Sequence, residues 1–96
     1  MPPASRISDI GSGHGCFPPT SIISGSSNVI TCSIPQARLG DSLAPHGCPP
    51  TPPHGRSLAS GSSTVFVNNL PAARIGDSIS CGGSVVSGCS TVIIGG

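Results

Sequence analysis

Lysine and glutamate are absent from this 96-residue chain, and so are tryptophan and tyrosine. With four arginines, three aspartates and a formal net charge of +1, it offers no electrostatic footprint for nucleic acid or an anionic membrane surface. Only two phenylalanines are present, so the large rings that dominate most small cores are nearly missing. No apolar run approaches the roughly 20 residues needed to span a bilayer as a helix. The N-terminus also lacks the basic-then-apolar pattern of a signal peptide. The expectation is a chain made in the cytosol without a signal peptide, folded as a single domain over residues 1–96.

Glycine and proline are plentiful, 14 and 11 residues, and the few charges are placed regularly. Asp9, Asp41 and Asp77 each lie three residues after Arg6, Arg38 and Arg74; only Arg56 falls outside this pattern. The regularity reflects a repeat. Ser24 to Leu43 reads SGSSNVITCSIPQARLGDSL, and Ser60 to Ile79 reads SGSSTVFVNNLPAARIGDSI, with eleven of twenty positions identical. The C-terminus supplies the front half alone, SGCSTVIIGG, and Pro3-Ala4-Ser5-Arg6-Ile7-Ser8-Asp9 supplies the back half. Glycine to arginine spans thirteen residues in both complete copies, and would span fourteen in the split one if Gly96 were joined to Met1. A three-fold repeat has been cut open inside one unit. A split, complementary copy predicts closure rather than an open solenoid, with the two terminal segments paired.

Each copy reads as a hairpin. A Gly-Ser turn leads into a β-branched stretch (Val29-Ile30-Thr31, Val65-Phe66-Val67, Val92-Ile93-Ile94), followed by a turn at Ser33-Ile34-Pro35 or Asn68 to Pro71. Pro-x-Ala-Arg then opens a second extended piece. No window carries a helical period with caps, so the chain is expected to be all-β. The fold expected is a small pointed cone of three pseudo-three-fold β-hairpin repeats, closed by pairing of the N- and C-terminal segments. Three loops of unequal length follow the hairpins at one pole: Gly11 to Thr20, Ala44 to Arg56 and Ser80 to Ser87. Pro18-Pro19, Pro49-Pro50 and Pro52-Pro53 should make the first two stiff and extended.

These loops hold the candidate metal donors. His14 lies eight residues after Arg6, His46 eight after Arg38, and Cys81 seven after Arg74; His54 has no counterpart and can act as a fourth donor. Three imidazoles and a thiolate suit tetrahedral zinc, and in a domain with so little apolar mass the ion would be a principal stabiliser. Symmetry equally nominates Cys16, Cys48 and Cys81, because His14-Gly15-Cys16 is duplicated as His46-Gly47-Cys48. Five cysteines rule out a complete disulfide framework within one chain, and in a reducing compartment free or metal-bound thiols are the usual state. Cys32 reads as a small buried residue and Cys89 as incidental.

The Arg/Asp pairs read as scaffold, making ion pairs or holding turn amides. Four protein donors would close the metal site, no glutamate stands by as a base, and neither a phosphate loop nor a nucleophile elbow is present. The chain is therefore expected not to be an enzyme.

Pro71-Ala72-Ala73-Arg74, with Pro35-Gln36-Ala37-Arg38 and Pro3-Ala4-Ser5-Arg6, resembles the PAAR-repeat family, named for that tetrapeptide, and the similarity covers essentially the whole chain. Gln36, Ser5 and Ser8 depart from the motif at presumed turn positions. The resemblance implies a pointed β-structure capping the trimeric spike of a contractile injection machine, either a type VI secretion system (a valine–glycine repeat trimer) or a contractile phage tail (a central spike). One chain would sit on the β-helix end of each trimer, and its apex would meet the target-cell membrane transiently before delivery into the envelope. A structural zinc near the apex, held by three His and one Cys, carries over onto His14, His46, His54 and Cys81. Family members that carry toxins append them, so this chain reads as a bare tip. The alternative is an adaptor that tethers an effector to the spike.

Overall fold

The repeated motif builds its own axis. In the computed structural model, which describes residues 2–48 and 51–96, the third residue of each Pro-x-x-Arg turns inward and bonds to the next copy. Ser5 N–H donates to Ala73 C=O, Ala73 to Ala37 and Ala37 to Ser5, each at 3.0 Å. All three residues are fully buried. A closed ring of three main-chain bonds leaves no room for large side chains, hence Ala or Ser at these positions. The expected closure of the termini stands beside this ring: Pro3 pairs with Ile93 and Ala4 with Cys89, antiparallel.

Ten short strands surround this axis: β1 (Pro3–Ala4), β2 (Ile10–Gly11), β3 (Thr20–Ser21), β4 (Ile30–Thr31), β5 (Ile34–Pro35), β6 (Ser42–Cys48), β7 (Thr51–Ser57), β8 (Phe66–Val67), β9 (Leu70–Pro71) and β10 (Cys89–Ile93). They pair as β1–β10, β2–β3, β4–β5, β6–β7 and β8–β9, and the described residues contain no helix. The fold is all-β, elongated to 40 × 24 × 20 Å. The hairpins β4–β5 and β8–β9 turn on two residues with left-handed backbone, Cys32-Ser33 (φ 49° and 67°) and Asn68-Asn69 (53° and 67°). Positive φ at both central residues is the type I′ pattern, which matches strand twist and favours Asn. The first turn thus lies on Cys32-Ser33, earlier than the expected Ser33 to Pro35, because the register Ile30↔Pro35 and Thr31↔Ile34 places Ile34 and Pro35 in the strand.

Each Arg-x-Gly-Asp closes a second turn. Asp N–H returns to the Arg C=O at 3.0, 3.0 and 3.2 Å in the three copies. The third residue has φ of 80° at Ser8, 90° at Gly40 and 94° at Gly76, the type II pattern that calls for glycine. Within the turn the carboxylate accepts the main-chain N–H of its own arginine at 2.7 Å in every copy. The guanidinium closes the loop from outside, with Nη2 to Oδ1 at 3.1, 3.0 and 3.0 Å. The bond to Asp is the largest influence on Arg6 and Arg38 and raises both pKa values against the opposing effect of burial. A serine from the front half of the repeat finishes each clamp: Ser87, Ser24 and Ser60 donate to Asp9, Asp41 and Asp77 at 3.2, 3.2 and 3.1 Å. The same three hydroxyls accept the N–H of Ile10, Ser42 and Ser78.

Two small cores flank the ring. On the hairpin side lie Ala4, Val67, Ala72 and Ile94. There the second copy substitutes a polar pair: Thr31 donates to Gln36 Oε1 at 2.7 Å, while Gln36 Nε2 donates to Ala37 and Ala73 C=O at 2.9 and 3.1 Å. Gln36 and Ser5 are therefore buried axial residues rather than turn residues; of the three motif departures only Ser8 occupies a turn. On the loop side Ile22, Leu43, Leu58, Ile79 and Val85 form the core, with Ala37 and Ala73 beneath. Leu43 and Ile79 occupy equivalent positions whose third member is Gly11. A Cβ on Gly11 would stand 2.4 Å from Leu43 Cδ2 and 2.6 Å from Ile79 Cδ1. The axis admits two large side chains, and glycine in the third copy makes that possible.

Candidate metal centre

The loop after each clamp rises from this core, and the three loops differ. The second is extended and forms the longest β-pair among the described residues, β6–β7, in which His46 faces His54 across the register. Pro45, Pro52 and Pro53 are exposed on its strands. A two-stranded ribbon has only edge strands, so residues that cannot donate to a ladder are tolerated there. Pro49-Pro50 lies outside the described residues. The first loop turns tightly: His14 and Phe17 exchange main-chain bonds at 3.1 and 2.9 Å, with Gly15 at φ 56° between them. A positive φ at the first central residue alone is the II′ pattern.

These placements gather His14, His46, His54 and Cys81. One ligand atom from each lies within 4.8 Å of the others. His46 Nε2 is 2.7 Å from His54 Nε2 and 3.7 Å from Cys81 Sγ. A tetrahedral ion with nitrogen and sulfur ligands sets its donors about 3.3–3.7 Å apart, so small side-chain movements bring all four to one point. Two further observations test the fit. His46 Nδ1 lies 2.8 Å from Pro18 C=O, so it carries the proton and leaves Nε2 with a free lone pair toward the cluster. His14 Nε2 is buried and has no hydrogen-bond partner among the described residues, as a ligand atom awaiting an ion would be. Desolvation, then the charges of His46, His54 and Arg56, hold the His14 pKa below its ordinary value of 6.5, which keeps the ring neutral. The residues present fit a metal ion of the zinc type.

The rival donors are engaged elsewhere. Cys16 and Cys48 are bonded to each other, Cα atoms 5.7 Å apart, and neither is among the four residues whose donor atoms converge. Cys32 and Cys89 form a second disulfide with Cα atoms 6.4 Å apart. Cys32 is accordingly exposed and bridged rather than small and buried, and Cys89 is not incidental: it joins the seam of the split copy to the first hairpin turn. Among the described residues, only Cys81 is a free thiol. Pairing four of five cysteines departs from the free or metal-bound state expected of them.

Two residues that support the cluster escaped the sequence analysis. The Phe17 ring lies 5.0, 5.0 and 4.6 Å from those of His14, His46 and His54, an apolar wall common to all three. A phenylalanine three residues after the first histidine was its only signal. Arg56, the arginine outside the repeat pattern, is buried beneath the cluster. It donates to Thr20 Oγ1 at 2.9 Å, to Gly82 C=O at 3.4 Å and to Ser12 C=O, so one guanidinium ties together all three loops that carry donors.

The ring, the clamps and the donor cluster all issue from one repeated tetrapeptide, and the family model for the PAAR motif matches residues 12–87. The chain belongs to the PAAR-motif family. No curated protein matches it. PAAR proteins are structural tips on the spikes of secretion and contractile systems, and this chain is a spike-tip protein of that kind. No helix among the described residues is long and apolar enough to cross a bilayer.

Proposed function

We propose that residues 1–96 act as one PAAR-type β-cone that caps and sharpens the end of a trimeric spike, one chain per trimer, without enzymatic activity. The observation that carries this reading is a three-fold apolar display at the hairpin ends. Ile30, Phe66 and Ile93 occupy equivalent repeat positions and are 56%, 57% and 47% exposed. Val65 and Val92, one residue earlier, and Leu70 on the partner strand are exposed too. Large apolar side chains left in water at matched positions favour a partner surface of the same symmetry. Three equivalent strand ends of a trimeric β-helix have that symmetry, and the short hairpin strands leave main-chain groups for pairing.

At the other pole, His14, His46, His54 and Cys81 would hold a structural zinc that keeps the loops from fraying when the tip meets an envelope. Four protein donors would leave no open position for substrate, and Asp9, Asp41 and Asp77 are each engaged by an arginine in a clamp. Chain assembly in the cytosol, membership of a type VI or phage spike and transit into the target envelope follow from the spike-tip role.

Mixing the purified chain with its cognate spike trimer and weighing the complex by light scattering tests the cap. One chain per three spike subunits is expected, and Ile30→Asp with Phe66→Asp should abolish binding without altering the far-UV spectrum. A three-to-three complex would contradict it. Elemental analysis should find one zinc per chain, and the cobalt-substituted protein should absorb as a closed tetrahedral site. Capture of a toxin through the loop pole would point instead to the effector adaptor.

A further inference from the structure

Capping a spike and holding an ion use only one of the five cysteines, yet the other four are paired with care. Cys16–Cys48 links the turn after His14 to the end of β6, two residues past His46, closing a separation of 32 residues. It joins two donor loops from outside the donor cluster. Cys32–Cys89 closes 57 residues and ties the first hairpin turn to β10, the strand that completes the split copy. One bridge therefore sits at each end of the cone, and each connects different repeat copies. Both Cα separations fall within the span of about 4.4–6.8 Å that a bridge requires. Cys16 and Cys32 are exposed, so an exchange partner can reach one sulfur of each pair. The odd cysteine, Cys81, is half-buried, faces His46 Nε2 and has no cysteine partner.

We propose that Cys16–Cys48 and Cys32–Cys89 are redox-conditional staples, open in a reducing compartment and closed on entry into an oxidising one, with Cys81 exempted so that oxidation leaves the donor cluster intact. Each closure is a thiol–disulfide exchange with a small disulfide oxidant. One protein thiolate attacks the oxidant and releases a thiol; the second protein thiolate attacks the mixed disulfide and releases another. Two electrons pass from the protein sulfurs to the oxidant, whose two released thiols take up the two protons. A tip assembled with open staples would thereby become harder to unfold after leaving the cell that made it. That biological setting rests on the spike-tip reading; the sulfur chemistry does not.

The experiment equilibrates the full, zinc-loaded chain in glutathione buffers, from mostly reduced to mostly oxidised, and then denatures and alkylates it for mass analysis. Five alkylated cysteines are expected in the reducing buffer and one in the oxidising buffer, mapped to Cys81. Zinc per chain should be equal in both, and the oxidised form should melt at least about 10 °C higher. Cys32→Ser should retain Cys16–Cys48 and lose only the other bridge, while its reduced form melts with the reduced parent, which separates loss of the staple from misfolding. Bridges that persist in the reducing buffer, any bridge to Cys81, or zinc release on oxidation would each overturn the proposal. Failure of spike binding with these results intact would instead count against the cap alone.

Discussion

The polar pair on the axis gives a quantitative test of how the three copies share one core. Gln36→Ala recreates the motif tetrapeptide of the third repeat, and sequence logic alone would expect it to be harmless or stabilising. The structure predicts the reverse. Gln36 Nε2 donates to Ala37 and Ala73 C=O, and the Thr31 hydroxyl, itself buried, has Gln36 Oε1 as its acceptor. Losing two neutral hydrogen bonds costs about 1 kcal/mol each, and stranding the Thr31 hydroxyl adds about 1–3 kcal/mol. The two carbonyls keep their ring bonds, so they add no further penalty. The expected loss is about 3–5 kcal/mol before any cavity cost, or about 15–30 °C in melting temperature for a domain of this size, and the cavity left behind can only add to it. Thr31→Val alone should cost about 1–2 kcal/mol, because it removes the donor to Gln36 Oε1. The double variant rebuilds the Val67/Ala72 arrangement of the other complete copy, with no orphan left. It should lie within about 2 kcal/mol of the parent, which makes the coupling energy about 3 kcal/mol. Denaturant unfolding followed by far-UV circular dichroism is the assay, since no Trp or Tyr is available for fluorescence. Additive single effects, or a Gln36→Ala variant as stable as the parent, would refute the shared-axis account.

Ser8→Gly should stabilise the chain by about 0.5–1 kcal/mol. It relieves a left-handed residue where the other copies have glycine, less the added freedom of the unfolded chain, and an unchanged melting temperature would argue against strain at φ 80°. Arg56→Met removes the guanidinium bound to Ser12, Thr20 and Gly82 but keeps much of the side chain's bulk. Zinc affinity should fall about 10–100-fold by competition titration while spike binding holds, and equal loss of both would deny Arg56 a positioning role. In the metal-free chain the depressed His14 pKa makes the unfolded state bind a proton first. Its contribution to stability is then present above pH 6.5 and is lost as pH falls through the folded value. Unfolding midpoints should decline below that pH and do so less in His14→Gln; parallel profiles would remove His14 as the cause.

The unequal loops explain how a three-fold base can end in a four-donor cluster. Below the clamps the copies are nearly interchangeable, down to the serine that completes each carboxylate. Above them the second copy extends into β6–β7 and contributes two donors, the first contributes His14, and the third contributes Cys81. Three equivalent donors alone would leave the fourth position of a tetrahedral ion to solvent, and the longer second loop offers a donor for it. Arg56 sits on that extended arm and bonds back to the other two loops, so the same insertion that breaks the symmetry also ties it together.

Sequence alone determined what depends on repetition. Eleven identities in twenty positions set the hairpins, the clamps and the closure of the two ends, because equivalent residues in a closed repeat must meet equivalent partners. The matched spacing of His14, His46 and Cys81 likewise placed them around one axis. Tertiary structure decided whatever differs between the copies. Symmetry could not choose between the histidine set and the Cys16, Cys48, Cys81 set; what the folded chain adds is that the donor atoms of His14, His46, His54 and Cys81 lie within 4.8 Å of one another. Nor could spacing reveal that Gln36 crosses the axis, that Phe17 walls three imidazoles or that Arg56 joins three loops. Each depends on a side chain reaching residues distant in the chain, and local pattern carries no record of such reach.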